Sequence, residues 1–105
     1  MITDAYRQMI LRAHAKGIKI YGATILPFAG SGYWNPDTSE VARQALNAWI
    51  RTPGHFDAVI DFDKVMADPS QPERMRPELD CGDHLHPSLA GYAHMGNSVD
   101  LSLFV

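Results

Sequence analysis

Two short apolar runs, at residues 18–26 and 56–62, constrain this chain most, because the segment between them has the spacing of an amphipathic helix. The first run is nearly continuous, broken only by Lys19 and Thr24, which predicts a strand covered on both faces. The second centres on Ala58-Val59-Ile60 between Asp57 and Asp61 and predicts another buried strand. Strands of this kind belong to a parallel sheet. Between them Val41, Ala42, Ala45, Leu46, Trp49 and Ile50 share one helical face over residues 39–51, and Thr52-Pro53-Gly54 stops that helix.

The flanks fit the same pattern. Tyr6, Met9, Ile10 and Ala13 predict a first helix over residues 4–16, capped by Thr3 and leaving through a left-handed Gly17. Residues 27–38 are rich in turn formers and would leave the carboxyl end of the first strand, where open α/β sheets place their sites. Residues 64–81 carry Pro69, Pro72 and Pro77, which predicts extended loop beyond one helical turn at 64–67. A last helix is expected from Pro87, with Leu89, Tyr92, Gly96, Val99 and Leu103 on one face. The expected architecture is one α/β domain over residues 1–105, in the order α-β-α-β-α with two parallel strands.

The junction between that loop and the last helix carries the chemistry. It reads Gly82-Asp83-His84-Leu85-His86-Pro87, followed by Ser88-Leu89-Ala90-Gly91-Tyr92. A histidine acting as general base needs one ring nitrogen held by a carboxylate, so that a single tautomer faces the nucleophile. Asp83 and His86 are close enough on a turn to form such a pair. This block resembles the Asp-x-x-His-Pro motif of SGNH (GDSL-type) serine esterases, in which a helix containing Gly-Tyr follows. The preceding order also resembles the carboxyl-terminal half of that family, with its Gly-Ile-Lys-Ile-Tyr-Gly strand, Pro-Phe loop, helix and Phe-Asp-Ala-Val-Ile-Asp-Phe strand.

The resemblance implies a truncated, three-layer flavodoxin-like unit hydrolysing a small-molecule carboxylic ester through an acyl-serine, without metal or organic cofactor. His86 would be the base and Asp83 its orienter. The family's Gly-Asp-Ser nucleophile block and its Gly-x-Asn-Asp oxyanion block do not occur in the 105 residues. Weak or no activity alone is therefore expected. One serine, Ser31 in Gly30-Ser31-Gly32, lies on a loop expected at the same sheet edge as His86, and glycines on both sides suit a sharp nucleophile turn.

Two further functions are open on the residues. Cys81, His84 and His86, with Asp80 and Asp83 beside them, place zinc-type ligands within seven residues. An unpaired buried-type strand at 18–26 predicts self-association or pairing with a complementing amino-terminal half. Nine basic and 12 acidic residues, a net charge of −3 and no basic stripe argue against nucleic-acid binding. No apolar run approaches the roughly 20 residues of a membrane span. One cysteine, Cys81, excludes an intrachain disulfide. No signal-peptide core is visible, so the chain as it stands reads as cytoplasmic, or secreted if an upstream leader has been lost.

Overall fold

A computed structural model describes residues 1–105. Helix α1 spans Ile2–Ala15 and leaves through Gly17 at φ 69°, the left-handed exit expected of it. Thr3 lies inside this helix and does not cap it; Met1 occupies that position, and its amino group donates to Asp4 at 3.3 Å.

Strand β1 is Tyr21–Ala23 and strand β2 is Ala58–Ile60, paired in parallel with Tyr21 opposite Ala58 and Ala23 opposite Ile60. The parallel α/β reading holds, but β1 is much shorter than the apolar run that predicted it. A side chain ends the ladder. The Ile25 amide donates to Asn47 Oδ1 at 2.8 Å, and the Ile25 carbonyl accepts from Asn47 Nδ2 at 2.9 Å and from Arg43 Nη1 at 3.2 Å. Backbone groups that a neighbouring strand would satisfy are thus taken by helix α2, and Ile18 and Ile25 stay exposed.

Helix α2, Ser39–Arg51, has the expected bounds and an unexpected orientation. Its buried residues are Glu40, Arg43, Asn47 and Ile50, whereas Val41, Ala42 and Ala45 of the predicted apolar face are exposed. Polar groups turn inwards because they find partners there, namely the Ile25 peptide and the carboxylates at the end of β2. At the other end of the helix, Trp49 packs with Tyr6 of α1 and with Phe56 at ring centroid distances of 6.0 and 5.9 Å, joining α1, α2 and the approach to β2.

Helix α3 is Phe62–Met66, started by Asp61, whose carboxylate accepts the Lys64 amide at 3.2 Å. Beyond it the expected loop is an antiparallel hairpin of β3, Ala67–Asp68, and β4, Gln71–Met75. Its prolines are compatible with pairing because Pro69 sits in the turn and Pro72 on a strand with one neighbour. Asp68 Oδ1 holds that turn by accepting from the Ser70 amide at 2.9 Å and hydroxyl at 2.8 Å.

A 3-10 turn at Pro77–Leu79 leads to the motif. Helix α4, Leu89–Ser98, begins after Pro87, with Ser88 as cap accepting the Gly91 amide at 3.0 Å. Its predicted apolar face is also rotated: Leu89 and Tyr92 are exposed and Gly91 is buried. A Cβ at Gly91 would collide with the Leu79 carbonyl oxygen, so α4 approaches the 3-10 turn as closely as glycine allows. Under this contact Met66, Met75 and Leu79 form an apolar cluster with Leu26, Val65 and Met95 against it. A final 3-10 segment, Leu101–Phe104, returns to β1, where the Tyr21 hydroxyl donates to the Leu103 carbonyl. No helix is long and apolar enough to cross a membrane.

Candidate active site

The site is a six-residue loop, 81–86, pinned at its base. Asp80 and Pro87 form an antiparallel bridge, and the Cys81 amide donates to the His86 carbonyl at 3.0 Å. Within the loop each aspartate organises the residues that follow it. Asp83 Oδ1 accepts the amides of Leu85 at 2.9 Å and His86 at 2.8 Å, while Oδ2 stands 2.6 Å from His86 Nδ1. One carboxylate therefore fixes both the turn and the ring, which is the physical content of the Asp-x-x-His spacing. With Nδ1 engaged, Nε2 is the ring atom left to meet a substrate or nucleophile, and the His86 side chain is 64% exposed.

The His86 imidazole, followed by the amides of His86 and Leu85, holds the Asp83 carboxyl far below the usual carboxylate range. It therefore stays an anion throughout the range in which a histidine gains or loses its proton. The single cysteine adds to this: Cys81 Sγ lies 3.2 Å from Asp83 Oδ1 as donor.

A second pair, which the motif does not announce, repeats the arrangement three residues earlier. Asp80 Oδ1 accepts the amides of Gly82 at 2.8 Å and His84 at 3.1 Å, and Oδ2 stands 2.7 Å from His84 Nδ1. Burial alone would raise the Asp80 carboxyl, but the Gly82 amide and the His84 ring outweigh it, and the net shift is downward. His84 has φ 61°, uncommon for a non-glycine residue and tolerable here because both its amide and its ring are held. The sequence signal was an aspartate four residues before a histidine inside the same turn-rich block, a pattern with no independent weight.

Ser31 is placed beside this second pair. A Cβ on Gly30 would lie 3.1 Å from the His84 ring and 3.2 Å from Arg74 Nη1, so the loop carrying Ser31 rests against His84. The Ser31 hydroxyl oxygen accepts the Tyr33 amide at 3.3 Å and is hydrogen-bonded to neither imidazole. The metal-type ligands regroup as well: the three such groups within 4.8 Å of one another belong to Asp80, Cys81 and Asp83, while His84 and His86 stand outside that set with their Nδ1 atoms on carboxylates.

Two cavities adjoin the loop and a third does not. Leu85 and Pro87 line an apolar one of about 430 Å³, and His84 lines a polar one of about 230 Å³. The largest, about 590 Å³, lies over Arg43, Arg51, Asp61 and Asp63, whose charges are already spent on one another. Size is a poorer guide here than unsatisfied chemistry, and the exposed Nε2 of His86 marks the more reactive place.

A model of the GDSL-like lipase/acylhydrolase family matches residues 1–94. The chain belongs to that family. No curated protein matches the sequence significantly. The match covers both strands of the parallel sheet and the turn that carries Asp83 and His86.

Proposed function

We propose that this chain supplies the acid–base half of a carboxylic-ester hydrolase. His86 takes the proton of an attacking serine hydroxyl as that oxygen adds to the ester carbonyl. It returns the proton to the departing alcohol, and a water then frees the acid from the acyl-serine by the same route. Asp83 keeps Nδ1 protonated, presents Nε2 to the nucleophile and stabilises the imidazolium that forms. The observation that carries this reading is the double grip of Asp83, with one oxygen on the backbone amides of the turn and the other on the ring.

The nucleophile is the missing member, since the 105 residues contain no Gly-Asp-Ser and Ser31 turns its hydroxyl to Tyr33. A triad without its serine loses on the order of a millionfold in turnover. The purified chain is therefore expected to hydrolyse a short activated ester at close to the solvent rate. Adding a polypeptide that carries the Gly-Asp-Ser block should restore turnover, and Asp83→Asn should then lower it roughly ten-thousandfold. Fast hydrolysis by the chain alone, lost in Ser31→Ala, would relocate the nucleophile. Restored activity indifferent to His86→Ala would remove the acid–base role altogether.

The same reading has the sheet completed by another polypeptide or a second copy. The β2-facing hydrogen bonds of the first strand fall at Ile20 and Thr24, so strand alternation turns the peptide groups of Tyr21 and Ala23 to an edge with no strand beside it. Light scattering at micromolar concentration should find more than monomer.

A further inference from the structure

The residues around His86 face two unlike surroundings. On one side His84 joins Arg74, Gln71 and Ser70 around the polar cavity. On the other, Leu85 and Pro87 join Leu26, Phe28, Tyr92 and Met95 around the apolar one, whose lining is wholly aliphatic, aromatic or thioether. Leu85 and Pro87 are the immediate neighbours of His86, with Cα atoms about 3.8 Å from its own. The apolar cavity therefore opens within one residue's reach of the histidine. Its inner wall is fixed, because Leu26 and Met95 pack on the Met66, Met75 and Leu79 cluster, and the Ile25 peptide just before Leu26 is clamped by Asn47.

We infer that this cavity seats the acyl group of the ester, and that the chain selects a medium-length acyl group, octanoyl rather than acetyl; this rests on the ester-hydrolase reading above. An acetyl group, with a single methyl, can cover little of these walls. A longer chain covers them, and each methylene it buries strengthens binding about fourfold. The polar cavity at His84 offers an alkyl chain no such return, so the acyl group is assigned to the apolar one.

The test uses octanoate, the acid such an ester would release, so it needs no turnover. Of the five methionines, Met95 lines the cavity, while Met9 on α1 lines a separate apolar cavity of about 200 Å³ with Tyr6 and Phe56 and so reports uptake that is not specific to the site. In protein labelled at its methionine methyls, octanoate should shift the Met95 signal to saturation and leave Met9 unmoved. Butyrate should bind at least about tenfold more weakly, and acetate should not register. Tyr92 is 55% exposed, so Tyr92→Glu should be tolerated by the fold while placing in the cavity a charge that repels the carboxylate and disfavours the alkyl chain, weakening octanoate about tenfold or more. His86→Ala should leave octanoate binding within about twofold, because the alkyl chain carries it. A Met95 signal that ignores octanoate, a Met9 signal that moves in step with it, or indifference to Tyr92→Glu overturns the inference. Failure of the ester-hydrolase reading shows separately, as restored ester turnover that does not depend on His86 while the Met95 response persists.

Discussion

The molecule has two interiors built on different physics. Between β1, α2 and α3 the buried side chains are mostly charged, amide or hydroxyl: Arg43 is 3% exposed and Asn47 fully buried, with Thr24, Glu40 and Asp63 beside them and Ile50 the apolar exception. Between α3, β4 and α4 they are Met66, Met75 and Leu79. In the first, Arg43 joins Asp63 at 2.6 Å and Glu40 at 2.9 Å, and Arg51 bridges Asp61 and Asp63 at 2.8 Å. Geometry, more than net attraction, is what such a cluster contributes, because desolvation of buried charges offsets most of their Coulomb energy. The apolar interior gains by removal of surface from water and tolerates small changes of shape. The sheet side is therefore held in one arrangement by directional bonds, while the interior beneath the motif is held by packing.

The largest test of this difference is Arg43→Ala, which strands Glu40 without its cation, leaves Asp63 to Arg51 alone and should cost about 3–5 kcal/mol in urea unfolding. A cost below about 1 kcal/mol would mean that the charge cluster is not an interior in its own right. Met66→Ala should cost about 3 kcal/mol through lost burial and the cavity left behind, since Met66 is fully buried.

Next comes a pair of glycines on one helix. Gly91→Ala pushes a methyl group into the Leu79 backbone and Pro87 and should destabilise by about 2 kcal/mol, whereas Gly96→Ala meets nothing within 4 Å and should stabilise α4 by about 0.5–1 kcal/mol. Equal effects at the two positions would show that the close approach of α4 to the 3-10 turn is not made in solution.

The smallest effect is in pH. The Arg51 guanidinium, with Thr24 and the Lys64 amide, outweighs burial and lowers the Asp61 carboxyl from its ordinary value of 3.8 to about 2. A carboxyl lowered on folding contributes stability above its unfolded value and loses it as pH falls through its folded one, so the loss belongs between about pH 4 and pH 2. Asp61→Asn should flatten the unfolding midpoint over that window. An unchanged acid limb would place acid sensitivity elsewhere in the cluster.

The limits of reading the chain as a string are clear at particular residues. Helix α2 was legible to the residue, from Ser39 to Arg51, because Thr52-Pro53-Gly54 stops any helix. Its buried face was not, since periodicity counts apolar side chains and cannot see that Arg43 and Asn47 meet the Ile25 carbonyl from across the fold. The β3–β4 hairpin hid behind prolines that a turn and an edge strand accommodate. At the site, the meeting of Asp83 with His86 was readable, and the matching pair of Asp80 with His84 was not.

What the sequence alone determined is what closes within a few residues: the turn in which Asp83 grips two amides and a ring, and the Gly17 exit. Such features need only local hydrogen bonds and local dihedral preference. Tertiary structure alone decided which face of α2 and α4 is buried, where β1 ends, and that Leu26, Phe28 and Met95 gather with Leu85 and Pro87. Burial and polar satisfaction are properties of pairs distant in the chain, and a polar side chain turns inwards only where a distant backbone group waits unpaired.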